Sequence, residues 1–246
     1  MSEIHPHAAL GFGRAAGAYE RGRPGYPSEA LAWLAERLEL GPGRTVLDLA
    51  AGTGALTRAL LGTAAEVVAV EPVAEMRSAL PAETRVLDGT AEAIPLGDAT
   101  ADAVTVAQAF HWFDGPVALA EIHRVLRPGG ALALVWNRRD QASPVNRAID
   151  ALLAPHRRDT PSHATDAWRA AFAGCADLFG PFEEERFANS QTLDARGMAD
   201  RIGSISFVAS LPAGERAEVL AAARALAASG PVTIPYRTEV GVCLRR

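Results

Sequence analysis

The residues best placed to do chemistry surround a short turn near position 50. Val46, Leu47 and Leu49 form an apolar run that is typical of a strand covered on both faces. Gly52 and Gly54 follow this run and precede a predicted helix, so side chains are missing where a ligand could approach the backbone. The pattern predicts a ligand-binding turn, although one glycine-rich turn does not identify the ligand.

The spacing beyond the turn disfavours a dinucleotide. A dinucleotide fold would place a third glycine where this chain has Thr57, so the pyrophosphate cradle is incomplete and hydride chemistry is disfavoured. Glu71 follows the next predicted strand, 17 residues after Gly54, close to the roughly 20 residues at which an acid meets ribose hydroxyls. A carboxylate there could bind both sugar hydroxyls. The alternative is that Asp48 and Glu71 merely cap strand ends.

A third predicted strand is followed by Asp88–Glu92, which brings polar and backbone groups to its carboxyl end. The carboxyl ends of parallel strands share one edge of a sheet, where ligands bind in open α/β folds. The three strand ends therefore predict a single nucleoside-sized site.

The elements that must position this site alternate between Ser28 and Pro128, as in parallel strands joined by helical crossovers. Ser28 is expected to cap the first helix, and Arg127–Gly130 is expected to break the chain before the fifth strand. The predicted strands are Thr45–Ala50, Glu66–Val70, Thr84–Leu87, Ala101–Ala107, Ala131–Trp136 and Val232–Leu244. The first predicted helix starts at Ser28. The other predicted helices span Ala55–Leu61, Val73–Leu80, Pro116–Leu126, Val145–Leu153, Thr165–Ala173 and the alanine-rich segment between Pro212 and Gly230.

The last predicted strand is defined by strict alternation of apolar and polar residues from Val232 to Leu244. Pro235 lies inside it and cannot donate to a strand ladder. We therefore expect regular pairing to begin only after Pro235 or to contain a bulge there.

The composition is that of one folded domain. The chain has 246 residues, of which 49% are hydrophobic and 22% charged, within the globular range. The net charge of -5 lacks the cationic footprint that phosphate backbones require, so nucleic acid is not an expected partner. No apolar run approaches the roughly 20 residues that span a bilayer, and no export signal is visible. We expect a cytoplasmic protein without a membrane partner.

Metal and thiol chemistry are not expected. Glu121 and His123 are two residues apart on a predicted helix and do not face one another. Cys175 and Cys243 have no CxxC partner and are interpreted as small core residues.

Together the motifs resemble those of class I S-adenosylmethionine-dependent methyltransferases, in the small-molecule group similar to trans-aconitate methyltransferase. The resemblance runs from about Phe12 to Arg245. It implies an α/β fold with a Rossmann-like, seven-stranded and mostly parallel sheet, helices on both faces and the last strand antiparallel, in a single domain over 1–246. It rests on Asp48–Gly54, Glu71, Gly89–Glu92, Ile94–Pro95, Gln108–Phe113 and Arg127–Gly130. Ala50 departs from the family pattern, which often has Gly there, and should narrow the space beside the methionyl tail.

The resemblance also implies which residues hold the cofactor, S-adenosyl-L-methionine. Asp48 would order the glycine turn, Glu71 would bind the ribose, and Gln108 and Ala109 would lie beside the sulfonium. The implied cofactor-binding residues are Tyr19, Arg23, Asp48, Ala50, Gly52, Gly54, Glu71, Pro72, Met76, Thr90, Ala91, Glu92, Gln108 and Ala109.

Substrate contacts are expected from three segments. Residues 1–27 resemble a lid over the site, and helical insertions at 138–178 and 194–211 are expected to cover the substrate. The implied substrate-binding residues are Tyr26, His111, Trp112, Phe113, Trp136, Arg138, Ser206 and Phe207.

His111 is the candidate catalytic residue, and three roles stay open: it could act as a general base, orient the substrate, or pack against Trp112 and Phe113. The two aromatic residues could form a wall or shield a sulfonium from water. An arginine and histidine cluster could be a solvated face or could steer an anionic substrate. Its members are Arg138, Arg139, His156, Arg157, Arg158 and His163.

The expected activity is methyl transfer to a small molecule, with O-methylation of a carboxylate or hydroxyl favoured. A carboxylate is ionised at neutral pH and needs no base, whereas a hydroxyl does, so the acceptor decides whether His111 matters. Two alternatives stay open: a protein of this fold that binds the cofactor without methyl transfer, as a cyclase or regulator, and a methyltransferase acting on tRNA or protein.

Overall fold

The computed structural model describes residues 22–157 and 165–246. The strands are β1 (Thr45–Leu49), β2 (Glu66–Val70), β3 (Arg85–Leu87), β4 (Ala101–Ala107), β5 (Leu126–Arg139), β6 (Glu183–Leu193) and β7 (Val232–Leu244). The helices are α1 (Ser28–Arg37), α2 (Ala55–Leu61), α3 (Ala74–Arg77), α4 (Gly115–Val125), α5 (Pro144–Leu153), α6 (Arg169–Ala173), α7 (Ala195–Gly203), α8 (Ser206–Ala209) and α9 (Ala213–Ala225), with short 3-10 turns at Phe110–Trp112 and Ala154–His156.

Within the described residues seven strands form one sheet in the order β3-β2-β1-β4-β5-β7-β6. The pairs from β3 to β5 are all parallel, and β7 is antiparallel to both β5 and β6. This arrangement confirms the expected Rossmann-like fold class. The order of the strands reverses between β1 and β4: the chain proceeds from β1 toward β3 on one side and from β4 toward β5 on the other. Ligands bind outside the carboxyl ends of the strands at such a reversal.

Apolar layers cover both faces of the sheet because adjacent residues of a strand point to opposite sides. Leu47 packs into the layer that includes Ile122 of α4. Its neighbour Val46 packs into the opposite layer, with Leu34 of α1 and Leu60 of α2. Each of these side chains is at most 2% exposed, and full burial of such a side chain stabilises the fold by roughly 1.5–3 kcal/mol.

A third apolar cluster joins α5, α7, α8 and α9 to the ends of β6 and β7. Tyr236 belongs to this cluster and pairs in register with Arg139, the last residue of β5. The cluster therefore lies beside the carboxyl edge of the sheet, next to the end of β5. No helix in either described range is both long and apolar enough to cross a bilayer.

Two local predictions were wrong. Ser28 does not cap α1, since the cap position is Pro27 and the Ser28 hydroxyl donates to the Glu29 carboxylate at 3.3 Å.

The chain does not break between α4 and the fifth strand. Instead, β5 begins at Leu126, and its extra residues are accommodated by a register shift opposite Ala101–Ala103. A Cβ on Gly130 would lie 2.8 Å from the Asp102 carbonyl oxygen, so the irregular pairing needs glycine there.

Pairing on the two sides of β7 differs at Pro235. The β5 ladder begins only at Tyr236, whereas the β6 ladder runs through the Pro235–Ser190 pair. The expected delay of regular pairing until after Pro235 is confirmed only on the β5 side of β7. Proline lacks a single N–H donor, and the loss of one donor affects pairing with only one of the two neighbouring strands. The residue pattern did not predict β6 itself, whose eleven residues are mostly exposed and polar.

Candidate functional site

A cleft opens at the carboxyl edge of the sheet, between the ends of β1 and β4. It holds about 540 Å³ of atom-free space, part of it open to solvent. Sequence-predicted residues that line it are Arg23, Tyr26, Ala50, Gly52 and Gln108. Residues that the sequence analysis missed also line it, among them Thr53, Asn137 and Arg201.

The floor of the cleft is the turn between β1 and α2. Gly52 and Gly54 have φ angles of 59° and 87°, in the left-handed region that glycine adopts without strain. A Cβ on Gly54 would lie 3.0 Å from Leu80 and 3.1 Å from Pro81, so this glycine is required by both conformation and space. The turn thus exposes backbone to the cleft.

Ala50 occupies the family's usual glycine position with a φ of 57°. An L-residue pays roughly 1–2 kcal/mol for this left-handed conformation. Gln108, at the end of β4, has a φ of 60° and faces the same cleft. Strained residues persist where surrounding structure over-determines them, and they concentrate at binding sites.

Asp48 holds the turn from below. It is 1% exposed, and its carboxylate accepts hydrogen bonds from the hydroxyls of Thr57 at 2.6 Å and Thr105 at 3.2 Å. Burial raises the pKa of Asp48 to about 6, against the lowering effect of these hydroxyls. Thr57, which breaks the dinucleotide pattern, therefore ties α2 to β1.

Glu71 lies beside the turn at the end of β2. Its two carboxylate oxygens accept backbone N–H groups from Gly52 and Val73, each at 2.9 Å. Burial raises the pKa of Glu71, while these two N–H donors lower it. Each oxygen keeps a further lone pair, so the carboxylate can still accept hydroxyl donors from a ligand.

The roof of the cleft is the N-terminal strap, residues 22–27. The Asn137 side-chain amide donates to the carbonyls of Pro24 at 3.3 Å and Gly25 at 3.1 Å. Asn189 of β6 donates to the same Gly25 carbonyl at 2.9 Å, and Arg23 donates to the Ser204 carbonyl at 3.0 Å. Strands β5 and β6 and helix α7 therefore fasten the strap over the site.

Arg201 closes the cleft on the α7 side. It is 7% exposed, and its Nε donates to the Tyr236 hydroxyl at 3.0 Å. A charged residue three positions after the buried Met198 breaks the apolar face of an amphipathic helix, and this signal could have identified it. Asn137 offered a similar signal, because it is the polar residue directly after the apolar strand predicted at Ala131–Trp136.

His111 lies in the 3-10 turn after β4, with its ring 5.1 Å from that of Trp112 and 5.4 Å from that of Trp136. Phe113 packs on Phe110 at 5.5 Å. None of His111, Trp112, Phe113 and Trp136 is among the described residues that line the cleft, so they form an aromatic group beside it. The packing role of His111 is therefore visible, and its catalytic roles stay predictions.

Other predicted residues occupy different places. Met76 and Ala91 are buried, at 3% and 4% exposure, and Ser206 and Phe207 belong to α8 beside the third apolar cluster. Arg138 pairs with Asp166 at 2.5 Å and Glu239 at 3.2 Å, which neutralises its charge. The remaining predicted cofactor residues near the site, none of them lining the described cleft, are Pro72, Thr90, Glu92 and Ala109. Tyr19, Arg158, His163 and most of the expected lid lie outside the described residues.

The chemistry of the cleft fits an adenosyl sulfonium cofactor. The glycine turn allows close approach to the backbone, and the next strand ends in a buried carboxylate. The buried Gln108 amide nitrogen has no hydrogen-bond partner within residues 22–157 and 165–246. These groups suit a nucleoside and a charged tail. Among the described residues no group of three or more His, Cys, Asp or Glu side chains is arranged to hold a metal ion.

The parallel sheet, the glycine turn after β1 and the acid after β2 define the class as Rossmann-like S-adenosylmethionine-dependent methyltransferases. Residues 47–134 match the family model described as a methyltransferase domain. An uncharacterised methyltransferase of Mycobacterium tuberculosis is 40% identical, over 96% of this chain and 95% of that relative. The chain therefore belongs to the class I S-adenosylmethionine-dependent methyltransferases.

Two further likenesses are more distant. A malonyl-[acyl-carrier protein] O-methyltransferase of Pectobacterium atrosepticum is 34% identical over 61% of this chain and 67% of that relative. The solved structure of a candidate type II methyltransferase from Anaeromyxobacter dehalogenans matches with a TM-score of 0.61 and 27% identity, over 91% of this chain and 96% of that chain.

Proposed function

We propose that this methyltransferase acts on an oxygen atom of a small molecule, as the resemblance to the trans-aconitate group suggests. The observation that carries the proposal is the cleft between β1 and β4 under the strap, since a covered cleft admits a small acceptor beside a nucleoside but not a folded macromolecule. The name of the Pectobacterium relative, an O-methyltransferase, supports oxygen as the accepting atom.

In this proposal the cofactor lies along the carboxyl ends of β1, β2 and β3. Gly52 and Gly54 let the backbone approach it, Glu71 accepts the ribose hydroxyls, and Asp48 fixes the turn from below. Thr90, Ala91 and Glu92 edge the adenine, and Gln108 and Ala109 lie beside the sulfonium. The other proposed contacts are Tyr19, Arg23, Ala50, Pro72 and Met76.

The cofactor supplies a methyl group already activated by a positively charged sulfur. The protein has to hold the acceptor in line with the methyl group, within about 3 to 3.5 Å, and exclude water. In this proposal the strap and the aromatic group around His111 would exclude water. Tyr26, Trp112, Phe113 and Trp136 would line the acceptor side, with Arg138, Ser206 and Phe207 as outer contacts.

The role of His111 depends on the acceptor. A hydroxyl acceptor has to lose its proton, and His111 would accept it as general base. A carboxylate acceptor is already ionised, and His111 would then orient it. Replacing His111 with Gln separates these cases: the slope of activity with pH changes only if His111 is a base.

The first experiment measures binding of S-adenosylhomocysteine by calorimetry. Glu71→Ala should weaken binding at least about tenfold, because charge-assisted hydrogen bonds contribute about 1.5–3 kcal/mol each. Glu75→Ala is the matched control, since Glu75 is exposed on the neighbouring helix α3. If wild type does not bind the ligand, or if Glu71→Ala binds like wild type, the proposal is wrong.

The second experiment follows isotope-labelled methyl groups during incubation with panels of hydroxy acids, carboxylic acids, tRNA and protein. Label in a base-labile ester or in an ether supports O-methylation of a small molecule. Label recovered only in tRNA or protein, or none in any acceptor despite tight cofactor binding, contradicts the proposal.

A further inference from the structure

Arg201 is a buried cation that no carboxylate of the described residues neutralises. It is 7% exposed, its Nε donates to the Tyr236 hydroxyl, and its buried Nη1 has no hydrogen-bond partner among those residues. Throughout residues 22–157 and 165–246, no Asp or Glu forms an ion pair with it. An arginine cannot escape burial by losing its proton, and a buried charge is costly unless it is paired.

Neighbouring arginines make this charge more unfavourable. Burial lowers the pKa of Arg139, and the positive charge of Arg201 lowers it further. Asp150 pairs with both Arg139 and Arg157, so that carboxylate is already shared. Arg201 therefore lies near a second buried arginine whose carboxylate partner is already shared.

The cleft itself has the same sign. Arg23 and Arg201 line it, and no acidic side chain of the described residues does. Gln108 also lines it, and its buried amide nitrogen has no hydrogen-bond partner among the described residues. Two cleft-lining residues that each carry an unsatisfied donor are complementary to a ligand that brings acceptor oxygens and negative charge.

The position of Arg201 separates it from the proposed nucleoside site. Its partner Tyr236 is on β7, which pairs with β5, whereas Glu71 follows β2 on the other side of β1 and β4. An anion on Arg201 would therefore lie at the end of the cleft nearest β5, away from the proposed nucleoside site.

We propose that Arg201 binds a carboxylate of the methyl acceptor and makes the enzyme selective for small carboxylic acids, an inference that rests on the proposed function. The planar guanidinium presents Nη1 to one carboxylate oxygen, and Gln108 donates to the same group. Tyr236 is a positioning residue that fixes the guanidinium through Nε.

The test uses thermal unfolding of the full chain, with and without saturating S-adenosylhomocysteine, in a series of carboxylates from acetate through malonate and succinate to glutarate. Malonamide is the neutral match for malonate. At least one carboxylate should raise the unfolding temperature of wild type, whereas malonamide should not. Arg201→Met keeps the volume of the side chain and should weaken carboxylate binding about tenfold or more.

Three variants accompany Arg201→Met. Arg201→Lys keeps the charge but loses the planar fork and should retain part of the effect. Tyr236→Phe removes the Nε partner alone and should give a smaller loss. Arg37→Met removes an exposed arginine that pairs with Glu183 far from the cleft and should bind carboxylates like wild type.

The outcomes are distinct. A wild type that no carboxylate stabilises, or an Arg201→Met variant stabilised as much as wild type, overturns the inference. The inference is also overturned if Arg201→Met weakens S-adenosylhomocysteine but not 5′-methylthioadenosine, which lacks the amino-acid carboxylate, because Arg201 would then bind the cofactor. Absence of any S-adenosylhomocysteine binding by wild type contradicts the proposed function, and the series without it still tests Arg201.

Discussion

The two ends of the cleft are built differently. At the end nearest β2, the glycine turn, Asp48 and Glu71 all lie within 24 residues of one another in the chain, and their polar groups are satisfied by hydrogen bonds to near neighbours. At the end nearest β5, Arg23, Asn137, Arg201 and Tyr236 come from distant segments, and the buried Arg201 Nη1 has no hydrogen-bond partner in the part of the chain that the structure describes. The first end is preorganised by local sequence, and the second is completed by tertiary contacts.

The two ends of the cleft differ in how readily substitutions can change the ligand that each one binds. A local, fully bonded end suits a ligand that is the same in every turnover, because preorganised groups cost nothing to arrange at binding. An end assembled from a strap, a strand and a helix can change its ligand through single substitutions that leave the fold intact. We expect substitutions at the first end to reduce cofactor binding and those at the second to change acceptor use.

The largest effect is expected at the glycine turn. Gly54→Ala forces a Cβ into the left-handed region and against Leu80 and Pro81, so binding of S-adenosylhomocysteine should fall more than about tenfold, with a stability loss of roughly 1–2 kcal/mol. Gly43→Ala is the matched control, since Gly43 has a φ of 82° with nothing near its Cβ position. Calorimetry should show that Gly43→Ala binds S-adenosylhomocysteine normally. Equal losses of affinity in both variants would contradict a specific role of Gly54 in binding.

Asp48 provides a test by pH. Its pKa is raised from 3.8 to about 6, so between these values the folded state holds a proton that the unfolded state has released. Stability from this group is therefore full below about pH 4 and is lost as pH rises through 6, by on the order of 3 kcal/mol.

Urea unfolding of wild type and Asp48→Asn at pH 4, 5, 6 and 7 measures this effect. The difference in free energy of unfolding should move in favour of the variant as pH rises from 4 to 6. Asp177→Asn, at an exposed position, should show a constant difference. A constant difference for Asp48→Asn as well would mean that burial does not shift its titration.

At the other end, Asn137→Ala removes the Asn137 hydrogen bonds to the Pro24 and Gly25 carbonyls, so that, of the described side chains, only the Asn189 amide still donates to Gly25. We expect about a tenfold fall in kcat/KM and faster release of S-adenosylhomocysteine, because the strap is held less firmly. Thr192→Val, which breaks only the exposed hydrogen bond to Thr233 between β6 and β7, should be neutral in stopped-flow release. If the two variants release the ligand equally fast, the strap does not depend on Asn137.

The smallest expected effect is on stability, and it distinguishes the first residues of helices α7 and α1. Asp194 caps α7, the helix that carries Arg201, by accepting the Gly197 N–H at 2.7 Å, and Asp194→Ala should lower stability by about 1 kcal/mol. Ser28→Ala at the start of α1 removes no cap and should change stability by less than about 0.5 kcal/mol. Chemical denaturation checks both, and a larger loss for Ser28→Ala would reinstate it as a cap.

Sequence patterns predicted the parallel strands well because both-face burial leaves continuous apolar runs, as at Val46–Leu49 and Ala101–Ala107. They failed at β6, where exposed polar residues carry no period, and at Arg127–Gly130, where proline and glycine indicated a break that the sheet accommodates as a register shift. The conformation of the turn could also be predicted, because Gly52 and Gly54 are close together in the chain and both adopt positive φ angles.

The sequence by itself determined the fold class, the glycine turn and the methyltransferase family, since these depend on local conformation and on short spacings between strand ends. Only the tertiary structure decided that Thr57 supports Asp48, that Asn137 and Asn189 hold the strap, and that Arg201 faces the cleft. These residues are brought together by strand order and helix packing. The asparagine contacts to the strap join residues more than a hundred positions apart, and neither these contacts nor the Thr57–Asp48 hydrogen bond follows the helix or strand period from which the sequence was interpreted.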